Sequence, residues 1–486
     1  MINISDQQAC YDNIKRSYRM DDITRPVCHF ATPAMWMNDP NGAIDANGWY
    51  HIFYLQDPVA VDGLSEAVRK DGTTVPGVEK PNRVWAHVKT KNFLDWVYCP
   101  PALVPARERG ERKVISGSSI RREDGTYILL YTSVDMETGV SSQWLAEGDG
   151  ELKRFIQIEE NPVMTHDGEN QPLFDRDFRD PFLFYRNHRL YALVAGIVEK
   201  DGIEHAVLAL YEAVQEDGKK WKYRGEIIST PASKTAYYEC PKLITMGQKD
   251  VLIYSPLGKS PRYAIGVLDV EHGSFAIEHD EALDCSSRAY ATVTLCSERD
   301  GRAWLFSWIP GWHPECAVSD NWRGCLSLAH ELYLKPDGRL GKRPSRELAD
   351  RRRKHQSGLQ LQPGYGSAFW VTIDAEAPGE LRVFEKNSRI LTVTWDGTCV
   401  SDGELRMIYT GGHLILIIDR TVWELFDTES CRSMTGMLSA PCMEARIMTG
   451  SAVSLWELEP GSLAWEDAQD TDMDIRPLRP EEQEEM

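Results

Sequence analysis

Residues 36–56 read WMNDPNGAIDANGWYHIFYLQ, and this stretch holds the two features that decide the fold. The first feature is a carboxylate beside a proline, Asp39-Pro40, with turn-forming residues on both sides. The second is the dipeptide Asn47-Gly48 followed by alternating aromatic and aliphatic residues, which predicts a tight turn that leads into a β-strand. An acid near a proline, followed about ten residues later by an aromatic strand, is therefore the unit to look for along the chain.

The aromatic strand recurs in the first two thirds of the chain. Such runs begin at Trp49, Thr126, Arg189, Asp250 and Arg302, about 50 to 75 residues apart. Three of them follow an acid near a proline: Asp39-Pro40, Asp180-Pro181 and Glu239-Cys240-Pro241. The spacing suits the blades of a β-propeller with generous loops. Because a propeller gathers equivalent positions of its blades around one central pocket, we expect the three carboxylates to lie close together.

A different pattern begins after the charged stretch near Pro344. Short alternating strands follow, such as AFWVTID (368–374), HLILIID (413–419) and SLWELE (454–459). Their regular spacing and the turn dipeptides between them predict a β-sandwich. Convincing amphipathic helices are scarce: the best candidate is the charged stretch 345–356, and residues 66–70 could add a turn.

The sequence therefore predicts an all-β protein with two main domains. A five-bladed β-propeller is expected over residues 26–345, and a β-sandwich over residues 361–465. An N-terminal extension (1–25) precedes the propeller, and a linker (346–360) joins the propeller to the sandwich. The last segment, 466–486, is rich in acids and poor in apolar residues, which predicts a disordered tail.

The charge and composition of the chain restrict its partners and its location. Its 486 residues include 74 acidic and 54 basic side chains, which give a net charge of −20. This acid surplus disfavours a nucleic acid as partner. The composition is not that of a membrane protein, and the N-terminus lacks the apolar core of a secretory signal, so a cytoplasmic location is expected. The 11 cysteines include no C-x-x-C pair, which predicts reduced thiols and no zinc site.

Each of the three acids has an ordinary structural interpretation when taken alone. Asp39 could cap a turn, Glu239 could be an exposed loop acid, and Asp180 could form an ion pair with Arg179. Together they have a chemical interpretation, because hydrolysis of a glycosidic bond with retention needs one carboxylate as nucleophile and a second carboxyl as proton donor. A neighbouring arginine helps to separate the pKa values of two acids, and Arg179 is placed to do so for Asp180.

Three motifs, WMNDPNG (36–42), FRDP (178–181) and YECP (238–241), stand in this order ahead of the sandwich and resemble glycoside hydrolase family 32. That family contains β-fructofuranosidases (invertases), inulinases, levanases and some fructosyltransferases, and its fold is a five-bladed propeller followed by a sandwich. The resemblance implies that Asp39 is the nucleophile, Asp180 the transition-state stabiliser and Glu239 the general acid and base. It further implies no metal and no organic cofactor. The residues expected to hold the fructose ring are Asn38, Ser116 and Arg179.

The chain departs from the family pattern beside these motifs. Leu55 stands where the family commonly has a glutamine, so Gln56 is the candidate for binding substrate there after a shift of one residue. An apolar residue at this point also resembles several fungal fructosyltransferases, which favours transfer of fructose. Residues 59–83 replace a tryptophan-rich segment of the family, and Tyr238 replaces a tryptophan.

A small basic cluster follows the divergent segment. Arg83, Lys89 and Lys91 are interpreted as a solvated face, with attraction of a phosphorylated sugar as the alternative.

The leading hypothesis is a retaining β-fructofuranosidase that cleaves sucrose or short fructans through a fructosyl-enzyme, with transfer of fructose to another sugar as an added activity. The first alternative is a fructosyltransferase that makes fructo-oligosaccharides from sucrose. The second is a sugar-binding propeller without turnover, which the three intact acids argue against. The expected partner is a small sugar. The preferred donor, and whether the sandwich mediates a homodimer, are left open.

Overall fold

The computed structural model describes residues 4–63, 82–235, 237–311, 319–361, 367–430, 432–443 and 445–466. Nearly all of the regular structure in these ranges is β-strand, as predicted. The helices in these ranges are α1 (Gln7–Ser17) and α2 (Arg346–Ala349), with a 3-10 turn at Arg107–Arg109. No helix of the described ranges is long and apolar enough to span a membrane. All but the first residue of the predicted tail, 466–486, lies outside the described residues, as do residues 66–70.

The first part of the chain is a succession of antiparallel strands. They are β1 (Met35–Ala46), β2 (Trp49–Asp57), β3 (Val84–Thr90), β4 (Asp95–Leu103), β5 (Glu111–Arg121), β6 (Tyr127–Asp135), β7 (Ser141–Gly148), β8 (Phe155–Gln157), β9 (Phe174–Arg186), β10 (Arg189–Lys200), β11 (Ile203–Ala213), β12 (Trp221–Pro231), β13 (Tyr238–Met246), β14 (Lys249–Pro256), β15 (Arg262–Asp269), β16 (Ser274–Ala282), β17 (Tyr290–Cys296), β18 (Ala303–Ile309), β19 (Trp322–Arg323), β20 (Cys325–Leu326), β21 (His330–Leu334) and β22 (Leu340–Pro344).

These strands form sheets in chain order. The strands β1–β4, β5–β8, β9–β12 and β13–β16 each make one sheet, and β17, β18, β21 and β22 make the next, with β20 paired to β18. The first strands β1, β5, β9, β13 and β17 contact one another in succession, and β17 contacts β1, so they close a ring. The five aromatic runs of the sequence are β2, β6, β10, β14 and β18, the second strand of each sheet. The three acid motifs therefore lie on first strands, around the centre of the ring.

The C-terminal part of the chain forms one hydrogen-bonded sheet of ten strands. Its strands are β23 (Arg352–Leu361), β24 (Ala368–Asp374), β25 (Gly379–Glu385), β26 (Ser388–Trp395), β27 (Cys399–Ser401), β28 (Arg406–Ile408), β29 (His413–Asp419), β30 (Val422–Asp427), β31 (Ser433–Met437) and β32 (Ala445–Leu458). A last strand, β33 (Ser462–Trp465), leaves this sheet and pairs in parallel with β4.

The segment expected to be a linker, 346–360, holds α2 and most of β23. The Ser345 hydroxyl caps α2 by accepting from the Leu348 amide at 3.2 Å. The helix expected over 345–356 is confined to Arg346–Ala349, because the chain is extended from Arg352 onward and pairs with β32. The N-terminal extension also contains regular structure. Its helix α1 packs against β4, where the ring of Tyr11 stacks on that of Tyr98.

A buried polar cluster joins the two parts of the chain. His29 lies between two carboxylates of the C-terminal sheet, with Nδ1 2.8 Å from Asp419 and Nε2 2.9 Å from Glu424. The second oxygen of Glu424 is 2.5 Å from Nε2 of His330. Burial opposes the charge on His29, but hydrogen bonds with Asp419 and Glu424 raise its pKa to about 9. Burial acts against ionisation of Glu424 as well, and the two histidines nevertheless hold its pKa below the ordinary range.

Candidate active site

Asp39 lies on β1 where the strand is irregular. The register with β2 shifts between Met37 and Pro40 and again between Asn41 and Ile44. Such bulges change the direction in which a side chain points. The Ser116 hydroxyl on β5 donates to Asp39 Oδ2 at 2.8 Å. Asn41 stabilises the same part of the strand. Its side-chain Nδ2 donates to the Asp39 carbonyl at 2.9 Å, and its Oδ1 accepts from the Gly117 backbone amide at 3.2 Å.

Asp180 lies on β9 with a left-handed backbone conformation, at φ 58°. A non-glycine residue in this region costs conformational energy and is often found at functional sites. The backbone is held there because the Asp180 amide donates to the Thr132 hydroxyl at 2.9 Å. Its side chain is buried and accepts from the Cys240 amide at 3.0 Å. Cys240 itself has a φ of 49°, so two strained residues meet at this point.

The thiol of Cys240 connects the first two acids. Its Sγ lies 3.7 Å from Asp39 Oδ2 and 3.8 Å from Asp180 Oδ2. Burial raises the pKa of this thiol, and the two neighbouring carboxylates raise it further. The thiol is therefore protonated and can donate to either carboxylate. The structure thus brings Asp39 and Asp180 together, as the sequence predicted.

Glu239 precedes Cys240 and completes the group of acids. Arg179 Nη2 lies 2.9 Å from Glu239 Oε1, and the Tyr290 hydroxyl donates to Glu239 Oε2. Burial raises the pKa of Glu239 to about 7, against the lowering effect of Arg179. Glu239 is therefore the acid of the group that can carry a proton near neutral pH.

Arg179 acts differently from the prediction. We expected it beside Asp180, but its direct ion pair is with Glu239, and a second, longer contact of 3.5 Å reaches Asp177. The guanidinium lies over the ring of Tyr237, 4.5 Å from its centroid. The Tyr237 hydroxyl donates to the Asp177 carbonyl at 2.8 Å and so keeps this ring in place. Arg179 also acts on Asp180, through charge alone.

Asp39 has a second arginine as its electrostatic partner. Burial raises the pKa of Asp39, and the strongest opposing influence is the charge of Arg83. Arg83 lies just before β3, with its guanidinium 5.6 Å from the centre of the Trp36 ring. Each of two acids thus has its own guanidinium: Arg83 acts mainly on Asp39, and Arg179 is paired with Glu239.

Of the residues predicted to hold the fructose ring, three lie beside the acids and one does not. Asn38 is buried next to Asp39, and its Oδ1 has no hydrogen-bond partner among the described residues. Ser116 and Arg179 contact the acids directly. The prediction for Gln56 is not supported, because its buried amide donates to the Thr32 hydroxyl at 2.8 Å and to the Ala34 carbonyl at 3.1 Å. Its oxygen accepts from Tyr98, so its hydrogen-bonding groups are engaged away from the acids.

The basic cluster predicted after the divergent segment is not a single surface. Lys89 pairs with Glu466 at 2.5 Å and lies over the ring of Trp49, as does Lys91. Arg83 is half-buried and lies among the acids instead, so its interpretation as part of a solvated face is wrong. Arg83 and Lys89 stand at opposite ends of β3, and six residues of extended chain at roughly 3.3 Å each separate them by about 20 Å.

Two further residues of the site were missed. Tyr290 begins β17, the one remaining first strand of the ring for which we assigned no motif, and its position in the fold repeat was the available signal. Tyr237 immediately precedes YECP, and nothing in its sequence context distinguishes it from a core tyrosine. Within the described ranges no group of three or more His, Cys, Asp or Glu side chains is arranged to hold a metal ion.

The family model for the glycosyl hydrolases family 32 N-terminal domain matches residues 29–68 and 72–344 of this chain. The match covers more than half of the chain, which therefore belongs to glycoside hydrolase family 32 and is a glycoside hydrolase.

Individual relatives agree with this assignment. The raffinose invertase of Escherichia coli is 28% identical over 397 residues, which cover 75% of this chain and 76% of the relative. A sucrose-6-phosphate hydrolase of Escherichia coli is 28% identical over 354 residues, 68% of this chain and 67% of the relative. Among solved structures, a Bombyx mori family 32 β-fructofuranosidase matches with a TM-score of 0.77 at 24% identity, over 94% of this chain and 98% of the other. A mutant of the Bombyx mori enzyme was solved in complex with sucrose.

Proposed function

We propose that this protein is a retaining β-fructofuranosidase that hydrolyses sucrose or short fructans by double displacement. The observation that carries the proposal is the contrast between two acids of one site. Burial raises the pKa of Asp39, but the Ser116 hydroxyl and the charge of Arg83 oppose this rise and favour the ionised form that a nucleophile needs. Glu239 has its pKa raised to about 7 by burial, as a proton donor requires.

In the first step an oxygen of the Asp39 carboxylate forms a bond to the anomeric carbon of the fructosyl unit. The bond from that carbon to the leaving sugar breaks, and its electron pair goes to the glycosidic oxygen. That oxygen takes the proton of Glu239, so the leaving sugar departs neutral. Asp39 then carries the fructose as an ester, and Glu239 is ionised.

In the second step water attacks the same carbon, and Glu239 takes one of its protons. The ester bond to Asp39 breaks, and its electron pair restores the carboxylate. Fructose is released with its original configuration after two inversions. The ion pair with Arg179 stabilises the ionised Glu239 that exists between the two steps.

Asp180 and its neighbours orient the fructosyl ring in this proposal. Asp180 is anchored by the Cys240 amide and stabilises the positive charge that develops on the ring. Asn38 has a free oxygen beside the nucleophile and can accept from a ring hydroxyl. We assign Gln56 a supporting role behind the site, because its amide is already engaged.

The frame for this chemistry is proposed to be a five-bladed propeller followed by a β-sandwich. The closed ring of first strands supports five blades. The terminal strands β28 and β31 of the ten-stranded sheet contact each other, and Met407 and Met434 share one core, which supports a sheet folded back on itself. A cytoplasmic location stays a prediction.

Incubation with sucrose tests the proposed function. We expect equal release of glucose and fructose in dilute sucrose, and a deficit of fructose in concentrated sucrose if sugars also act as acceptors. Added methanol is expected to yield methyl β-fructofuranoside, which reports retention. An Asp45→Asn variant, altered at a β1 carboxylate that pairs with Arg299 outside the site, is the control for Asp39→Asn. Release of the opposite anomer, or full activity of Asp39→Asn, would exclude the mechanism.

A further inference from the structure

Arg83 is a cation without a direct partner inside the group of acids. Its charge acts on Asp39, Asp180 and Glu239, yet among the described residues it forms an ion pair with none of them. Its Nε is buried and has no hydrogen-bond partner in the described ranges. Arg179, in contrast, is in contact with Glu239. A guanidinium set back from three carboxylates leaves room for a ligand between them.

Arg83 is held in this place by aromatic packing. Its guanidinium lies over Trp36, whose ring also meets the edge of Trp308 and the backbone of Gly63. A side chain at Gly63 would overlap the Trp36 ring, since an added Cβ would come within 2.7 Å of it. The ring is therefore closely packed, and the position of the guanidinium is set before a substrate arrives.

We propose that Arg83 is a specificity-determining residue that donates hydrogen bonds to hydroxyl groups of the leaving sugar. This inference rests on the proposed function, because it assumes a fructosyl unit between Asp39 and Glu239. The residues in contact with these acids, Ser116 and Arg179, are placed to serve the fructosyl ring. Arg83 acts on the acids by charge, without an ion pair to any of them in the described ranges, and lies over Trp36, so we assign its donors to the second sugar and not to the fructosyl ring. The planar fork of a guanidinium suits a pair of neighbouring hydroxyls.

The charge of the site favours an uncharged leaving sugar over a phosphorylated one. Three carboxylates, Asp39, Asp177 and Asp180, face three cations, Arg83, Arg179 and the buried Lys242, so the site is close to neutral when Glu239 holds its proton. A phosphate would meet no surplus of positive charge there, and it would compete with the carboxylates for Arg83.

Two variants test the inference by steady-state kinetics with sucrose. Arg83→Met removes all donors, and Arg83→Lys keeps the charge but loses the fork. We expect both to lower kcat/KM for sucrose by about 10- to 100-fold and to raise KM, because hydrogen bonds from a charged donor are lost. Arg83→Lys should act mainly through KM, whereas Arg83→Met should also lower kcat and move the acid limb to higher pH, because it removes the charge that opposes protonation of Asp39. Product inhibition by free fructose should be unchanged, since fructose does not reach Arg83. Arg299→Met, which removes a guanidinium packed on Tyr50 outside the site, should behave as wild type.

Several outcomes would overturn the role of Arg83 while leaving the proposed function intact. One is a wild-type KM for sucrose in either variant. Another is a loss of product inhibition by fructose as large as the loss of sucrose binding. The third is a loss confined to kcat together with a shifted acid limb of the pH profile. Preference of the wild type for sucrose 6-phosphate, abolished in Arg83→Met, would show that Arg83 recognises a phosphate instead. If the wild type hydrolysed no fructoside at all, the proposed function itself would fail.

Discussion

Replacement of Tyr290 by phenylalanine is expected to move the alkaline limb of the pH profile to higher pH. In the native protein the Tyr290 hydroxyl donates to Glu239 Oε2. A hydrogen bond donated to a carboxylate favours its ionised form and so lowers the pKa of the acid. Burial, which raises the pKa of Glu239 to about 7, would be less opposed in the variant. Glu239 would then keep its proton to a higher pH.

The size of this effect follows from the energy of one hydrogen bond. A hydrogen bond to a charged group contributes about 1.5 to 3 kcal/mol, and 1.36 kcal/mol corresponds to one pKa unit. Arg179 remains paired with Glu239 and retains part of the stabilisation of its ionised form. We therefore expect the limb to move by about 1 pH unit, at the lower end of that range.

The assay is kcat/KM for sucrose between pH 4 and about 9.5, because this ratio reports ionisation of the free enzyme. Tyr263→Phe is the matched control: its hydroxyl donates to Glu281 at 3.2 Å on the outer strands β15 and β16 of the sheet that carries Glu239, away from the acids. The control should reproduce the native profile. An alkaline limb that stays in place in Tyr290→Phe, or moves to lower pH, would refute the assignment of Glu239 as the proton donor governed by this contact.

Further predictions concern the proposed nucleophile Asp39, the strained Asp180, and His29 in the buried cluster between the two parts of the chain. Asp39→Asn should lose turnover by several orders of magnitude with unchanged thermal unfolding, and measurable hydrolysis near the native rate would contradict its role. Asp180→Asn should be inactive yet as stable as the native protein, because asparagine tolerates a φ of 58°, whereas Asp180→Ala should also lose about 1 kcal/mol in urea unfolding. His29 has a raised pKa of about 9, so its contribution to stability should be complete below about pH 6.5 and lost as the pH rises towards 9. His29→Gln should remove this part of the pH dependence of Tm, and an unchanged slope would show that the charge of His29 is unimportant.

Much of the β-architecture could be predicted because its signals are local. The runs beginning at Trp49 and Arg189 became β2 and β10, since turn residues and alternation act over a few positions. Pairings between distant segments could not be predicted. β19 lies parallel to β1, and β33 returns from the C-terminal sheet to β4. Such contacts depend on how whole sheets pack, and short strands carry no sequence pattern that identifies a distant partner.

The site shows the same division between motif and environment. Asp39, Asp180 and Glu239 stand in motifs, and the repeat of first strands explains why they meet. The partners that distinguish Asp39 from Glu239 come from elsewhere: Tyr290 from β17 and Arg83 from the segment before β3. Their effect depends on burial and on distances in space, which the residue types alone do not reveal. The role of Arg83, only six residues from Lys89 in the sequence, could therefore be interpreted only from its position in the structure.

The position of Leu55 changes the argument about transfer of fructose. Its side chain is fully buried in a cluster with Phe53 and Trp85. A residue at this position can influence Asp39 through this cluster. The Trp85 indole donates to the Ile115 carbonyl at 3.0 Å, and the next residue, Ser116, donates to Asp39. An apolar residue at position 55 therefore supports the packing of Trp85 and, through it, the placement of the Ser116 hydroxyl. The competition between water and a second sugar depends on groups in contact with the acceptor, and we propose Arg83, not Leu55, for that role.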